Sequence, residues 1–347
     1  MKKIYIILQN GQVFEGRSFG AEGRVVGEIV FTTGMVGYLE ALTDPVYHGQ
    51  ILVSTFPLIG NYGVIPEDLE TAKIHASAYV VREWAKNPSN YRCGGDIDTF
   101  LKEQGVVGIC DVDTRALTEA IREYGIMNAI ITDTLPDPIV PDEVITYSVK
   151  NGISAVTCNE PKFFPVENAE YNVAVYDFGV TMSTIKALNK RGCNVSVLPA
   201  TTPASIALDG NYDGVVLSNG PCGDPKENVE IILEIRKLLG SLPIFAMGLG
   251  HQLLARAAGA GTTKLKFGHH GANQPVKNNT TGKVEITNQA HLYTVNPARL
   301  PASATLTETN VLDGSVEAIE YREQKAFTIQ YYPSDVHFDK FVDLMKK

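Results

Sequence analysis

The 347-residue chain holds a single tryptophan, only five cysteines, no basic run and no long apolar stretch, and each shortage excludes something. A membrane-spanning helix needs roughly 20 consecutive apolar residues, which the chain nowhere approaches. The opening MKKIYIILQNGQVFEG carries two lysines, but its apolar run from Ile4 to Leu8 is too short for the core of a secretory leader. It reads instead as an edge strand turning through Asn10-Gly11 into a second strand. Cys93, Cys110, Cys158, Cys193 and Cys222 are scattered, odd in number and form no Cys-x-x-Cys pair. That pattern suggests neither a zinc ribbon nor a disulfide framework, and a reducing cytoplasm is the expected compartment. Lys and Arg number 30 against 39 Asp and Glu, and the net charge of −9 argues against a nucleic-acid surface.

What is present is a globular balance, 44% hydrophobic and 20% charged, in a chain long enough for two domains. Up to residue 150, short β-type runs broken by glycine (25–31, 51–56, 78–81) precede helical patterns at 96–104 and 114–124. In the second helix Asp113 is the expected N-cap, and Ala116, Leu117, Ala120 and Ile121 form the apolar stripe. An α+β, β-rich domain is expected over 1–150, an irregular linker over 151–171, and a second domain over 172–347. From Tyr171 strands alternate with helices: NVAVYDFG, MSTIKALNKRG, NVSVLPA, DGVVLSNG, ENVEIILEIRKLLG, LPIFAM, HQLLARAAG. Apolar strands alternating with amphipathic helices predict an α/β fold with a mainly parallel, helix-covered sheet. Its site belongs at the carboxyl ends of the strands, near Asp177-Phe178-Gly179, Ser218-Asn219-Gly220 and Met247-Gly248-Leu249-Gly250. PIFAMGLGHQLLA has the form of a nucleophile elbow, a strand meeting a helix through a sharp glycine turn. By itself it reads equally as a tight connection, and Gly248-Leu249-Gly250 makes no dinucleotide fingerprint.

Longer stretches carry more. VFEGRSFGAEGRVVGEIVFTTGMVGYLEALTDPVYHGQ, FPLIGNYGV and VDTRALTEAIREYGIM resemble the N-terminal domain of carbamoyl-phosphate synthetase small subunits. YDFGV, LPATT, the GLGHQLLA elbow and KLKFGHHGANQPV are similar to the class I glutamine amidotransferase domain of the same subunit. The resemblance implies a heterodimer. The small subunit releases ammonia from glutamine, and a large subunit carrying ATP and magnesium makes carbamoyl phosphate for pyrimidine or arginine synthesis. No cofactor is implied for the small subunit itself.

The family's chemistry needs an elbow cysteine, a histidine base and a glutamate that orients it. At the equivalent positions this chain has Gly248, Tyr332 and Ser334, so no catalytic residue is intact. Of the family's glutamine contacts, Gly220, Gly223, Leu249 and Gln252 match. Val46, Ala290, Leu292 and Tyr293 stand at altered positions, Cys222 is inserted in the loop before Gly223, and the segment after Pro333 is short. Cys222 has no evident histidine partner, so substitute catalysis by its thiol is not expected. His251, His269, His270 and His291 are expected in structural or interface roles, with no metal site. Three readings follow. The first is a non-hydrolysing pseudoenzyme partner of a large subunit that uses free ammonia. The second is a binding or regulatory protein whose pocket, lined by Val46, Gly248, Ala290, Leu292 and Tyr332, takes another small ligand. The third, an active glutaminase, lacks a nucleophile.

Overall fold

In the computed structural model, which describes residues 1–346, the chain divides into two compact units at Lys150/Asn151. The N-terminal unit is a closed seven-stranded barrel. Around it run Lys3–Leu8, Val13–Gly20, Val107–Cys110, Ala78–Val80, Gln50–Ser54, Val25–Thr32 and Met127–Thr132, the last pairing back to the first. Closure corrects one expectation: Lys3–Leu8 is not an edge strand, because Val13–Gly20 flanks it on one side and Met127–Thr132 on the other. Both faces of that strand are therefore useful. Ile7 packs outside the barrel on Ile130 and Val144, the latter from the short helix Asp142–Thr146. The Asn10-Gly11 hairpin and the helix Thr114–Tyr124 follow the sequence signals. Asp113 caps that helix by accepting the Ala116 N–H at 3.0 Å. Leu117 and Ile121 are fully buried beneath it, each stabilising by about 1.5–3 kcal/mol.

The C-terminal unit is built on a ten-stranded sheet. Its parallel part runs in the order Cys193–Pro199, Tyr171–Asp177, Gly214–Leu217, Ile244–Met247, Ala326–Ile329. Gly214–Leu217 and Ile244–Met247, at the centre, are apolar throughout because helices cover both faces, and successive residues serve opposite cores. Val215, Leu217, Ile244 and Ala246 face Ile235 and Leu253 of two helices on one side. Val216, Phe245 and Met247 face Phe338 and Phe341 on the other. Phe245 stacks on Phe327 at 4.7 Å and meets Phe338 edge-on at 5.7 Å. Beyond the parallel part the sheet continues antiparallel through Val316–Tyr321, Thr305–Asn310 and the long hairpin Thr262–Asn278/Val284–Val295.

The segment 151–171, expected as a linker, belongs to this unit. It forms the helix Gly152–Val156 and the edge strand Lys162–Phe164, which pairs antiparallel with Cys193–Pro199. Ile153 packs into one core and Cys158 into the other, and side-chain bonds add to this: Cys158 N–H donates to Asp177 at 2.7 Å, and Thr157 accepts the Ala200 N–H at 2.9 Å. Among the described residues, no helix is long and apolar enough to cross a membrane.

One core residue makes stability depend on acid. His251 is wholly buried, shares a 2.7 Å hydrogen bond with Thr328 through Nδ1, and has no partner at Nε2. Burial pushes its pKa down to about 3, so the fold binds it neutral while the unfolded chain protonates it near its ordinary value. Its contribution is complete above about pH 6.5 and falls away as the pH drops toward the folded pKa. Between about pH 6.5 and pH 5 the loss from this residue alone is about 2 kcal/mol. Urea unfolding across that range should show it, with a shallower slope for His251→Gln.

Candidate functional site

The strand Ile244–Met247 meets the helix Leu249–Ala257 at Gly248, whose φ of +54° and ψ of −115° make a sharp elbow. Gly248 N–H donates to Ile329 at 2.9 Å, which pins the turn to the neighbouring strand. A residue with a side chain is strained at this φ, and glycine is not. The elbow is therefore kept as a backbone shape, without the side chain it would display.

Asn219, at the end of the adjacent strand, occupies the space beside Gly248. Its side-chain oxygen accepts the Leu249 N–H at 3.0 Å. A Cβ built on Gly248 would lie 2.0 Å from that oxygen and 2.4 Å from Asn219 Cγ. In an elbow, the N–H of the residue after the nucleophile is an oxyanion donor. Here that donor already holds an internal amide oxygen. Ser218 steadies the strand end, accepting the Phe178 N–H at 2.9 Å and donating to the Asn219 carbonyl at 2.8 Å.

The residues matching a glutamine pocket are committed in the same way. Gln252 is buried and donates to the Tyr293 carbonyl at 2.7 Å and to Gln330 Oε1 at 3.0 Å. Gly220 lies against the neighbouring turn, where a Cβ would fall 2.3 Å from the Phe178 carbonyl. Gly223 closes a tight turn onto the Pro221 carbonyl at 2.9 Å. Ala290 and Leu292 are buried in the long hairpin, and the thiol of Cys222 reaches the Ala290 carbonyl at 3.8 Å. Val46 is fully buried within the N-terminal unit, its N–H donated to Asp44 at 2.8 Å.

Tyr332 and Ser334 do come together with Asn219 and Met247, lining a cavity of about 150 Å³ with Thr181 and Ser183. Of the remaining pocket residues expected in this unit, Gly248, Ala290 and Leu292 are not among its walls. Ser334 is the N-cap of the helix Asp335–Met345, and its partner is His337, which the sequence reading did not single out. His337 Nδ1 lies 3.1 Å from Ser334 N, a group that only donates, so the ring proton sits on Nε2. From there it reaches Tyr331 Oη at 3.1 Å, and Tyr331 in turn donates to Glu308 at 2.5 Å. Burial and the Glu308 carboxylate push the Tyr331 phenol far up, and burial holds His337 below its ordinary value. The chain Ser334–His337–Tyr331–Glu308 thus caps a helix and keeps its tyrosine protonated. The signal in the sequence is the Ser-x-x-His spacing, a variant of the capping box in which histidine replaces glutamate.

Comparison with known proteins follows the same division. Residues 6–131 match the family described as carbamoyl-phosphate synthase small chain, CPSase domain, and residues 174–339 match glutamine amidotransferase class-I. The carbamoyl phosphate synthase small chain of Syntrophotalea carbinolica is 43% identical over 370 residues, covering 99% of this chain and 98% of its own length. That of Clostridium perfringens is 43% identical over 351 residues, covering 98% and 99%. The small chain of Archaeoglobus fulgidus is 42% identical over 364 residues, covering 99% of each.

The contact between Asn219 and the elbow has a measurable consequence. Gly248→Ala must expel the Asn219 amide and accept a left-handed φ, which together should destabilise by about 1–3 kcal/mol. In an Asn219→Gly background the steric part disappears and the cost should shrink. A double-mutant cycle by denaturant unfolding measures that coupling, and additive effects would contradict the contact.

Proposed function

This chain belongs to the family of carbamoyl-phosphate synthase small chains, and we propose that within it the chain is a non-hydrolysing partner. In this reading it binds a large subunit, where ATP and magnesium act, and that subunit draws ammonia from solution. The observation that carries the reading is the elbow. Gly248 has no nucleophile to offer, and the Asn219 amide occupies both its side-chain space and the Leu249 N–H. Loss of a nucleophile alone costs on the order of 10⁶ in rate in a hydrolase triad, and losing its partners as well adds little. Tyr332 and Ser334 at the base and orienter positions fit that logic: once the nucleophile is gone, a phenol and a helix cap cost nothing further. The rest of both units keeps the family pattern over nearly the full chain, which is what retention of a large-subunit surface requires.

Binding of a different small ligand, as a regulatory protein, is the competing reading. It rests on the cavity beside Tyr332 and Ser334. At about 150 Å³ that cavity is smaller than the roughly 300–1,000 Å³ typical of ligand sites, so only a ligand of a few heavy atoms fits. The partner role is accordingly preferred.

Reconstitution with the cognate large subunit decides between them. Ammonium should support carbamoyl phosphate formation, with the small chain raising large-subunit stability or turnover. Glutamine at equal concentration should give no more than background. Glutamine-dependent synthesis comparable with that from ammonium would overturn the proposal, and failure to associate with the large subunit would favour the ligand-binding reading.

A further inference from the structure

The long hairpin and its neighbouring strands enclose a buried charged cluster. His269 and His291 face each other in register across the hairpin, and Gln289 lies two residues before His291. Glu317 reaches in from the strand Val316–Tyr321, and Asp313 from the turn that joins this strand to Thr305–Asn310. Glu317 and Gln289 are completely buried and His269 is 6% exposed, whereas the Asp313 side chain is 40% exposed.

The hydrogens available fix the state of His269. Its Nε2 lies 2.9 Å from the Asp313 carboxylate, and its Nδ1 lies 2.9 Å from Gln289 Oε1. The Gln289 amide cannot turn round, because its nitrogen donates to Glu317 at 2.9 Å and to Thr287 at 3.0 Å. Glu317 Oε1 stands 3.6 Å from His269 Nδ1. The Asn310 amide nitrogen is 3.5 Å from the same ring nitrogen but closer to Glu317, at 3.2 Å. Both ring nitrogens therefore face acceptors, and the ring carries a proton on each. As an imidazolium it stands between two carboxylates, which offsets the cost of burying its charge.

His291 also meets an acceptor on each side, the Tyr293 carbonyl and Gln289 Oε1, both at 2.9 Å. The two ring centroids are 4.9 Å apart, so a second buried cation would repel the first. Burial and the His269 charge accordingly hold His291 well below its ordinary value. Burial does the same to His270, next along the strand, and to His251 on the elbow helix, each pushed down to about 3. Among these four histidines the positive charge is thus confined to His269, facing Asp313 and Glu317.

Asp313 sits in a tight turn with little else to hold it. It accepts the Ser315 N–H at 3.0 Å, and the Gly314 N–H returns to the Asn310 carbonyl at 3.0 Å. One backbone bond, from Val311 N–H to the Pro275 carbonyl at 2.9 Å, reaches the hairpin. Val311 and Leu312 are 51% and 72% exposed, so apolar packing contributes little. We propose that His269 is a proton-operated latch: its imidazolium fastens the turn 311–314 to the hairpin, and loss of that one proton in alkali loosens the turn while both cores stay folded. A neutral ring would set a lone pair against either Asp313 or Gln289 and leave Glu317 buried without its cation. Burial lowers a histidine pKa, but the hydrogen bonds and charges of Asp313 and Glu317 outweigh it and raise His269 to about 9. The latch is therefore complete below about pH 6.5, the ordinary histidine value, and is lost as the pH rises through about 9.

The test is nitrogen-15 NMR of the histidine rings in the full chain, assigned through bonds and followed from about pH 6 to pH 10. The His269 ring should keep both nitrogens protonated to about pH 8 and lose one proton near pH 9. His251, His270 and His291 should stay neutral throughout. Asp313→Asn, at the half-exposed rim, should lower the His269 midpoint by about 1–3 pH units while the circular dichroism at neutral pH stays that of the parent. Amide exchange in the turn, corrected for its intrinsic acceleration by base, should rise across the His269 midpoint in the parent and be fast already at neutral pH in Asp313→Asn. A His269 ring that titrates at or below about pH 6.5, a midpoint unmoved by Asp313→Asn, or exchange in the turn that ignores the transition would overturn the proposal.

Discussion

The role proposed for the C-terminal unit turns on one hydrogen bond, from the Leu249 N–H to the side-chain oxygen of Asn219. In a working elbow that N–H points into a cavity where charge develops during reaction. Here it is satisfied within the fold, in a space available because Gly248 has no side chain. The contact ties two strand ends together at the point where a parallel sheet places its chemistry. A buried N–H without a partner would cost about 1–3 kcal/mol, so the bond to Asn219 stabilises the fold, and in the proposed reading it also takes up the donor an oxyanion would need.

The scaffold around that contact has been kept. Phe245 and Met247 still bury one face of the elbow strand and Ala246 the other. Gly248 still holds its backbone to the strand Ala326–Ile329. In the proposed reading, backbone geometry, which folding needs, is thereby separated from side-chain chemistry, which hydrolysis needs. The hairpin cluster of His269, His291, Gln289 and Glu317 is dense in buried side-chain chemistry and adjoins the elbow helix, because His291 and Gln252 meet on the Tyr293 carbonyl.

Much of the fold was legible because burial on two faces leaves an unmistakable record. Gly214–Leu217 and Ile244–Met247 are apolar at every position and bounded by glycine or proline, which identifies central parallel strands. The helix from Thr114 was equally plain, with its Asp113 cap and its stripe. The strand Lys162–Phe164 was not, since two of its three residues are exposed and it is held by its pairing with another strand. The long hairpin was missed for a related reason: its register shifts twice, and His269, His270 and Gly271 interrupt any alternation. At the site, the empty elbow could be read from Gly248 alone. The turn of Asn219 into the gap could not, because asparagine there also matches the family pattern, and only geometry shows where its amide points. Likewise Ser334 is expected from the motif at the orienter position, but is recognisable as a helix cap only beside His337.

The central claim is that a closed elbow cannot open a glutamine amide, whatever else the assembly does. The most direct measurement is release of nitrogen from glutamine labelled with nitrogen-15 at its amide, with this chain saturated by large subunit, ATP and magnesium. The account predicts release indistinguishable from that of the large subunit alone. Stoichiometric labelled ammonia or labelled carbamoyl phosphate, formed only when this chain is present, would contradict it.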